Sequence, residues 1–132
     1  MTFALLQLEQ AFRRSWGADT TCLDAARLVQ WRRDDPARGQ CGPTALVIQD
    51  LLGGDLLIAD VTGGGEENEV HYWNRFASGL EIDLTREQFQ PHRIIGAPRV
   101  VVRPAGGPRA YAEEYRLLRA RVLSALADPR IG

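Results

Sequence analysis

The stretch RGQCGPTALVIQDLLGG, Arg38 to Gly54, decides the fold. Its glycines and proline punctuate a helix: Gly39 closes a polar loop, Pro43 suits a first helical turn whose N–H groups have no partner, and Gly53-Gly54 provides the stop. Between them TALVIQDLL is apolar on nearly all sides apart from Gln49 and Asp50, the pattern of a helix enclosed by the rest of the chain. Cys41 stands where this helix begins. There the positive end of the helix dipole and unpaired backbone N–H groups favour thiolate over thiol, so the sequence predicts a depressed pKa at Cys41.

Working outward, DLLIADV follows as a strand apolar on both faces, and TGGGEENE is a polar loop. VHYWNRF and LEIDLT then alternate about Ala77-Ser78-Gly79 and predict a β-hairpin. Period two puts Val70, Tyr72 and Phe76 on an apolar face, matched by Leu80, Ile82 and Leu84, and puts His71, Trp73, Arg75, Glu81 and Asp83 on the opposite, more polar face. RVVVRP predicts a further strand. Tyr111, Tyr115, Leu118, Val122 and Leu126 predict an amphipathic C-terminal helix. Upstream, Leu5, Leu8, Phe12 and Trp16 predict a helix over 3–16 with Thr2 as its N-cap, and Thr21-x-x-Asp24 opens a second, weaker helix from Cys22 to Trp31.

A cysteine nucleophile needs a base, and the base needs a group to hold its tautomer. His71 and Asp83 fit those roles. They face each other across the hairpin if the loop centres on Ala77 and are diagonal neighbours if it centres on Ser78, and either register keeps them on one face. The plainer readings are a packing cysteine, a cross-strand histidine and an Asp83–Arg75 ion pair. Trp73 could wall a substrate cleft or merely cover the hairpin. Gln40 is a weak candidate for an oxyanion donor, since its position beside the nucleophile can turn it away. Asp83 rather than Glu81 is expected to orient His71. Cys22 is expected to be partly buried and electrostatically ordinary. Cys22, Cys41, His71 and His92 lack the close pairs of a zinc site, Gly63 to Gly65 opens no helix that could cradle phosphate, and Ser15, Ser78 and Ser124 sit in no nucleophile elbow. His92, after Pro91, reads as solvated.

The 132 residues, 14.7 kDa, suffice for one core, and a single domain over 1–132 is expected. A formal net charge of −1 argues against nucleic-acid binding. All 16 basic residues are arginine, which excludes a lysine nucleophile. No apolar run reaches membrane-spanning length and the N-terminus lacks a signal-peptide pattern, so a cytoplasmic protein with no membrane partner is expected. Two cysteines make no disulfide framework, and reduced thiols are expected.

GQCGPTALVIQDLLGG followed by HYWNRFASGLEIDLTREQF resembles the YunG-like family of uncharacterised bacterial proteins, whose pattern runs GQC, TALV-QD, GG, HYWN, G-EIDLT, QF. The resemblance covers about Gly39 to Phe89 and is diffuse outside it. It implies a small papain-like or NlpC-like cysteine hydrolase arrangement, with Cys41, His71 and Asp83 on the family's Cys, His and Asp. The resulting expectation is an α+β, papain-like domain: a buried helix carrying Cys41 packed on an antiparallel sheet, with N- and C-terminal helices. Its expected function is a cysteine hydrolase or acyl-transfer enzyme acting on a peptide or small amide or an ester without cofactor or metal. The alternative is a non-catalytic binding module that keeps the same fold.

Overall fold

A computed structural model describes residues 4–23, 28, 31–63, 69–89, 91–105, 107 and 110–128. Among them three helices stand against an antiparallel sheet, an α+β arrangement. The helices are α1 (Leu5–Ser15), α2 (Cys41–Leu52) and α3 (Ala112–Leu126), and the strands are β1 (Asp55–Thr62), β2 (Glu69–Arg75), β3 (Glu81–Ile82), β4 (Ile94–Ile95) and β5 (Arg99–Val101).

The helical periodicity of the N-terminal segment becomes a buried stripe. Leu8, Ala11 and Phe12 of α1, with Trp16 just beyond it, pack against Leu118 and Val122 of α3 and Val47 and Ile48 of α2. The helix starts at Leu5 with Ala4 as its N-cap, whose N–H donates to Gln7 Oε1 at 2.9 Å, so the cap falls at Ala4 and not at the expected Thr2. Trp16 reaches past the stripe and donates its indole N–H to Thr44 Oγ1 at 2.9 Å, tying α1 to the first turn of α2. Fully burying such aromatic and aliphatic groups contributes roughly 1.5–3 kcal/mol each, which makes the three-helix contact the principal apolar core.

The sheet runs β3-β2-β1-β4, with β5 also paired to β1. In the β2–β3 hairpin Arg75 faces Glu81 and Asn74 faces Ile82, so the loop centres on Ser78. Gly79 takes φ 89°, a left-handed turn position that suits glycine. β3 stops at Ile82, two residues into its pairing. The chain beyond it passes through the short turn Arg86–Gln88 and carries Asp83, Gln88 and Phe89 to His71.

The apolar face expected of the hairpin packs inward at Phe76, Ile82 and Leu84, which meet the helical core, but the face expected to be polar is buried as well. Leu57, Ala59, His71 and Trp73 share that second face through the β1–β2 register, with Ile95 packed against it. Val70, assigned to the apolar side, is 40% exposed. The opposite face places Tyr72 and Leu56 against Ala45 and Leu46 of α2. Alternation separates the two faces but does not say which one a later loop will cover, and here the segment after β3 covers the face with the histidine.

Most of the second helix expected over Cys22 to Trp31 lies outside the described residues, as does its Asp24 cap partner; Leu28 is helical, whereas Cys22, Leu23 and Trp31 are not. Residues 64–68 of the glycine-rich loop are also outside. No described helix is long and apolar enough to cross a membrane.

Candidate active site

The GQC tripeptide is shaped before any chemistry is considered. Gly39 holds φ 75°, and a Cβ there would stand 2.4 Å from Leu23 Cγ, so only glycine allows the chain to turn into α2 at this point. Gln40 is fully enclosed. Its amide nitrogen donates to Gly17 O at 2.9 Å and its carbonyl oxygen accepts from Thr20 Oγ1 at 2.7 Å. The weak expectation of an oxyanion donor is therefore corrected: Gln40 is a clamp that binds the segment Gly17–Thr20 to the start of α2. Cys41 follows as the first residue of the helix, only 3% exposed.

Asn74 fixes the helix to the strand that bears the histidine. Buried in β2, it donates from Nδ2 to Ala45 O of α2 at 2.9 Å. His71, three residues earlier on the same strand, is fully buried. Its Nε2 lies 2.7 Å from Asp83 Oδ2, and its other ring nitrogen, Nδ1, faces Gln88 Nε2 at 3.3 Å. Cys41 and His71 are near enough to shift each other's ionisation, the imidazole lowering the thiol and the thiol raising the imidazole. Asp83 occupies Nε2, so Nδ1, which Gln88 also faces, is the nitrogen on the side open to Cys41.

Trp73 stacks on the His71 ring, with centroids 5.4 Å apart and planes 20° apart, while Phe89 meets its edge at 5.0 Å. Trp73 is in turn held by Glu81, which accepts its indole N–H at 2.6 Å. The two carboxylates of the hairpin thus divide: Asp83 touches the imidazole, Glu81 touches the tryptophan. Trp73 is 9% exposed, so it encloses the ring rather than presenting a wall to solvent.

Gln88 and Phe89 had no role in the reading of the residues, although both belong to the QF of the quoted pattern. Gln88 Oε1 accepts the Gly39 N–H at 2.9 Å while its Nε2 reaches both His71 Nδ1 and Thr85 Oγ1 at 3.3 Å. One amide therefore links the backbone that delivers Cys41 to the ring that meets it. The only sequence signal for this was a polar residue next to an aromatic at the end of the motif.

The electrostatics of the two thiols differ from expectation. Cys41 is pushed well above the usual thiol range, first by its hydrogen bond to Cys22 and then by burial, against a smaller lowering by His71. Cys22 is the one lowered: Cys41 hydrogen-bonds to it, burial opposes, and the Gly42 and Cys22 N–H groups and the Arg38 guanidinium add to the lowering. The lowering thus falls on Cys22, through the Cys41 side chain first and the Gly42 N–H at the helix start after it. Burial works against a charged His71, yet the hydrogen bonds to Asp83 and Cys41 prevail and raise it from 6.5 to about 9.

There is little open space at Cys41 itself. A cavity of about 240 Å³ begins one residue further on, at Gly42, lined by Leu46, Leu56, Tyr72, Val101 and Tyr111 among others. Gly42 leaves room for the Tyr111 ring, which would lie 3.0 Å from a Cβ. His92 is exposed, away from this cluster.

Residues 4–127 match the family described as YunG protein, and the chain belongs to that family. It is 41% identical over 61 residues to the Uncharacterized protein YunG of Bacillus subtilis (strain 168), a stretch covering 46% of this chain. The match spans about half the length of that relative, 48%. No solved structure matches the chain.

Proposed function

We propose that this member of the YunG family is a cysteine hydrolase or acyl-transfer enzyme of papain-like arrangement, with Cys41 as nucleophile, His71 as proton carrier and Asp83 as the residue that orients His71. The observation that supports it is the buried His71 ring, with the Asp83 carboxylate 2.7 Å from one nitrogen and Cys41 near enough for thiol and imidazole to shift each other's ionisation. In this mechanism His71, in its neutral form, takes the Cys41 proton as the sulfur attacks the carbonyl carbon of an amide or ester, leaving an imidazolium beside the tetrahedral oxyanion. His71 then gives its proton to the leaving amine or alcohol, and returning water or another acceptor regenerates the thiol. Backbone N–H groups at the start of α2 stabilise the oxyanion. Gln88 positions both partners, and the cavity at Gly42 receives an apolar group of the substrate.

A non-catalytic binding module is favoured by one observation, the burial of Cys41 and the raising of its thiol. The two readings separate on acyl transfer. Incubation with a p-nitrophenyl ester, acid quench and peptide mass mapping should give an acyl adduct on Cys41, and Cys41→Ser should lower the burst of nitrophenol by at least about a thousandfold. Equal acylation of the Cys41→Ser protein would leave the binding-module reading.

A further inference from the structure

Cys22 is not used by the proposed hydrolysis, yet it is built into the same cluster. The Gln40 clamp brings the segment Gly17–Thr20 against the start of α2. Two residues later the Cys22 N–H donates to Gly39 O at 2.8 Å, and its Sγ lies 3.1 Å from the same carbonyl. This lays Cys22 alongside the turn that delivers Cys41, two residues beyond the carbonyl it contacts and near enough for each thiol to shift the other's ionisation; both thiols are free. The pair is asymmetric: Cys22 is partly exposed, whereas Cys41 is buried behind it against His71.

We infer that Cys22 and Cys41 form a reversible two-thiol redox centre that is oxidised by small hydroperoxides to an intramolecular disulfide. This does not depend on the hydrolase reading. Cys22 is the thiol an oxidant meets first, and the Gly42 N–H and the Arg38 cation favour its thiolate, the form that reacts. The Cys22 sulfur attacks one peroxide oxygen and the O–O bond breaks. The sulfur loses two electrons and becomes a sulfenic acid, while the departing oxygen leaves as water or alcohol after taking a proton. The Cys41 sulfur then attacks the Cys22 sulfur. An S–S bond forms, the S–O bond breaks, and the proton released by Cys41 passes through His71 to the departing hydroxide, giving water. Two thiols supply the two electrons that reduce the peroxide. In the disulfide Cys41 is no longer a thiol partner for His71, so oxidation closes the site described above.

The test uses the reduced full-length protein, a stoichiometric amount of hydrogen peroxide, alkylation of residual thiols, and intact and peptide mass analysis without reductant. The expected result is loss of two hydrogens, a linked Cys22–Cys41 peptide and recovery of both thiols with dithiothreitol. In Cys41→Ser a dimedone-trapped sulfenic acid should accumulate at Cys22. In Cys22→Ser, oxidation of Cys41 should slow roughly tenfold or more. The inference is overturned if the wild-type protein retains two alkylatable thiols, forms only links between molecules, or passes to sulfinic acid without the internal link. None of these outcomes depends on whether an acyl adduct forms, so the two readings fail separately.

Discussion

The segments carrying the two cysteines handle a thiol in different ways. Cys41 belongs to a helix start built for position: Gly39 makes the turn, Gln40 clamps it, Asn74 fixes the helix to β2, and the sulfur is enclosed against His71. Cys22 belongs to a non-helical segment tied to the Gly39 carbonyl through its N–H and its sulfur, and it is the more exposed of the two. Position at a helix terminus favours Cys41 as a nucleophile, but burial and a thiol neighbour reverse the order of acidity. A helix dipole alone therefore does not identify the reactive sulfur; the donor that reaches each sulfur, and the water it loses, decide its charge.

Several substitutions would break or sharpen this contrast. The largest expected effect is His71→Ala, which removes proton delivery on the Cys41 side alone. Acylation of Cys41 should fall by about 10²–10⁴-fold, with alkylation of Cys22 changing far less; parallel losses at both sulfurs would mean that His71 supports the fold rather than one thiol. Next in size is alkylation of the wild-type protein near neutral pH, followed by mass mapping. Cys22 should label roughly tenfold or more faster than Cys41, the reverse of what the helix-start argument predicts, because it is both the more acidic and the more exposed. Faster labelling of Cys41 would restore the helix-dipole account. Smallest are the two anchors. Asn74→Ala leaves Ala45 O without its buried donor, and Thr20→Val removes the hydroxyl that holds Gln40. Each should cost about 1–3 kcal/mol in denaturant unfolding. Among the folded molecules, Asn74→Ala should alter the chemistry of Cys41 and Thr20→Val that of Cys22.

Much of the Cys41 side was legible in the sequence because it is local. The apolar run after Pro43, the glycine pair that stops it and the alternation around Ser78 each follow from short-range sterics, and the hairpin register leads Asp83 to the side of His71, where the chain just past Ile82 brings the two to 2.7 Å. What lies around Cys22 was not legible. Its neighbours come from Gly39, Cys41 and Gly42, and no periodicity in the segment signals that a partly exposed cysteine will lie beside a buried one. The same distinction explains Gln88 and Phe89. They follow a strand that stops after two residues, and only the tertiary path of the chain beyond Ile82 brings them to the imidazole. Gln40 was misread for a related reason: its sequence position beside the nucleophile was visible, but the Thr20 and Gly17 groups that capture its amide were not.

The charge of His71 tests the account most directly, because Asp83, Cys41 and the proton-delivery step all act through it. Its folded pKa lies above the ordinary value, so the stabilisation it supplies is fully present below about pH 6.5 and is lost as pH rises through about 9. The change is on the order of 3 kcal/mol. An NMR titration of the ring nitrogens in the reduced protein should show protonation persisting to about pH 9. In Asp83→Asn the midpoint should fall by about one unit or more, whereas Glu81→Gln, which loses only the Trp73 contact, should leave it in place. A ring that titrates near 6.5 in the wild-type protein, or that responds to Glu81→Gln more than to Asp83→Asn, would contradict the assignment of Cys41, His71 and Asp83 as one acting unit.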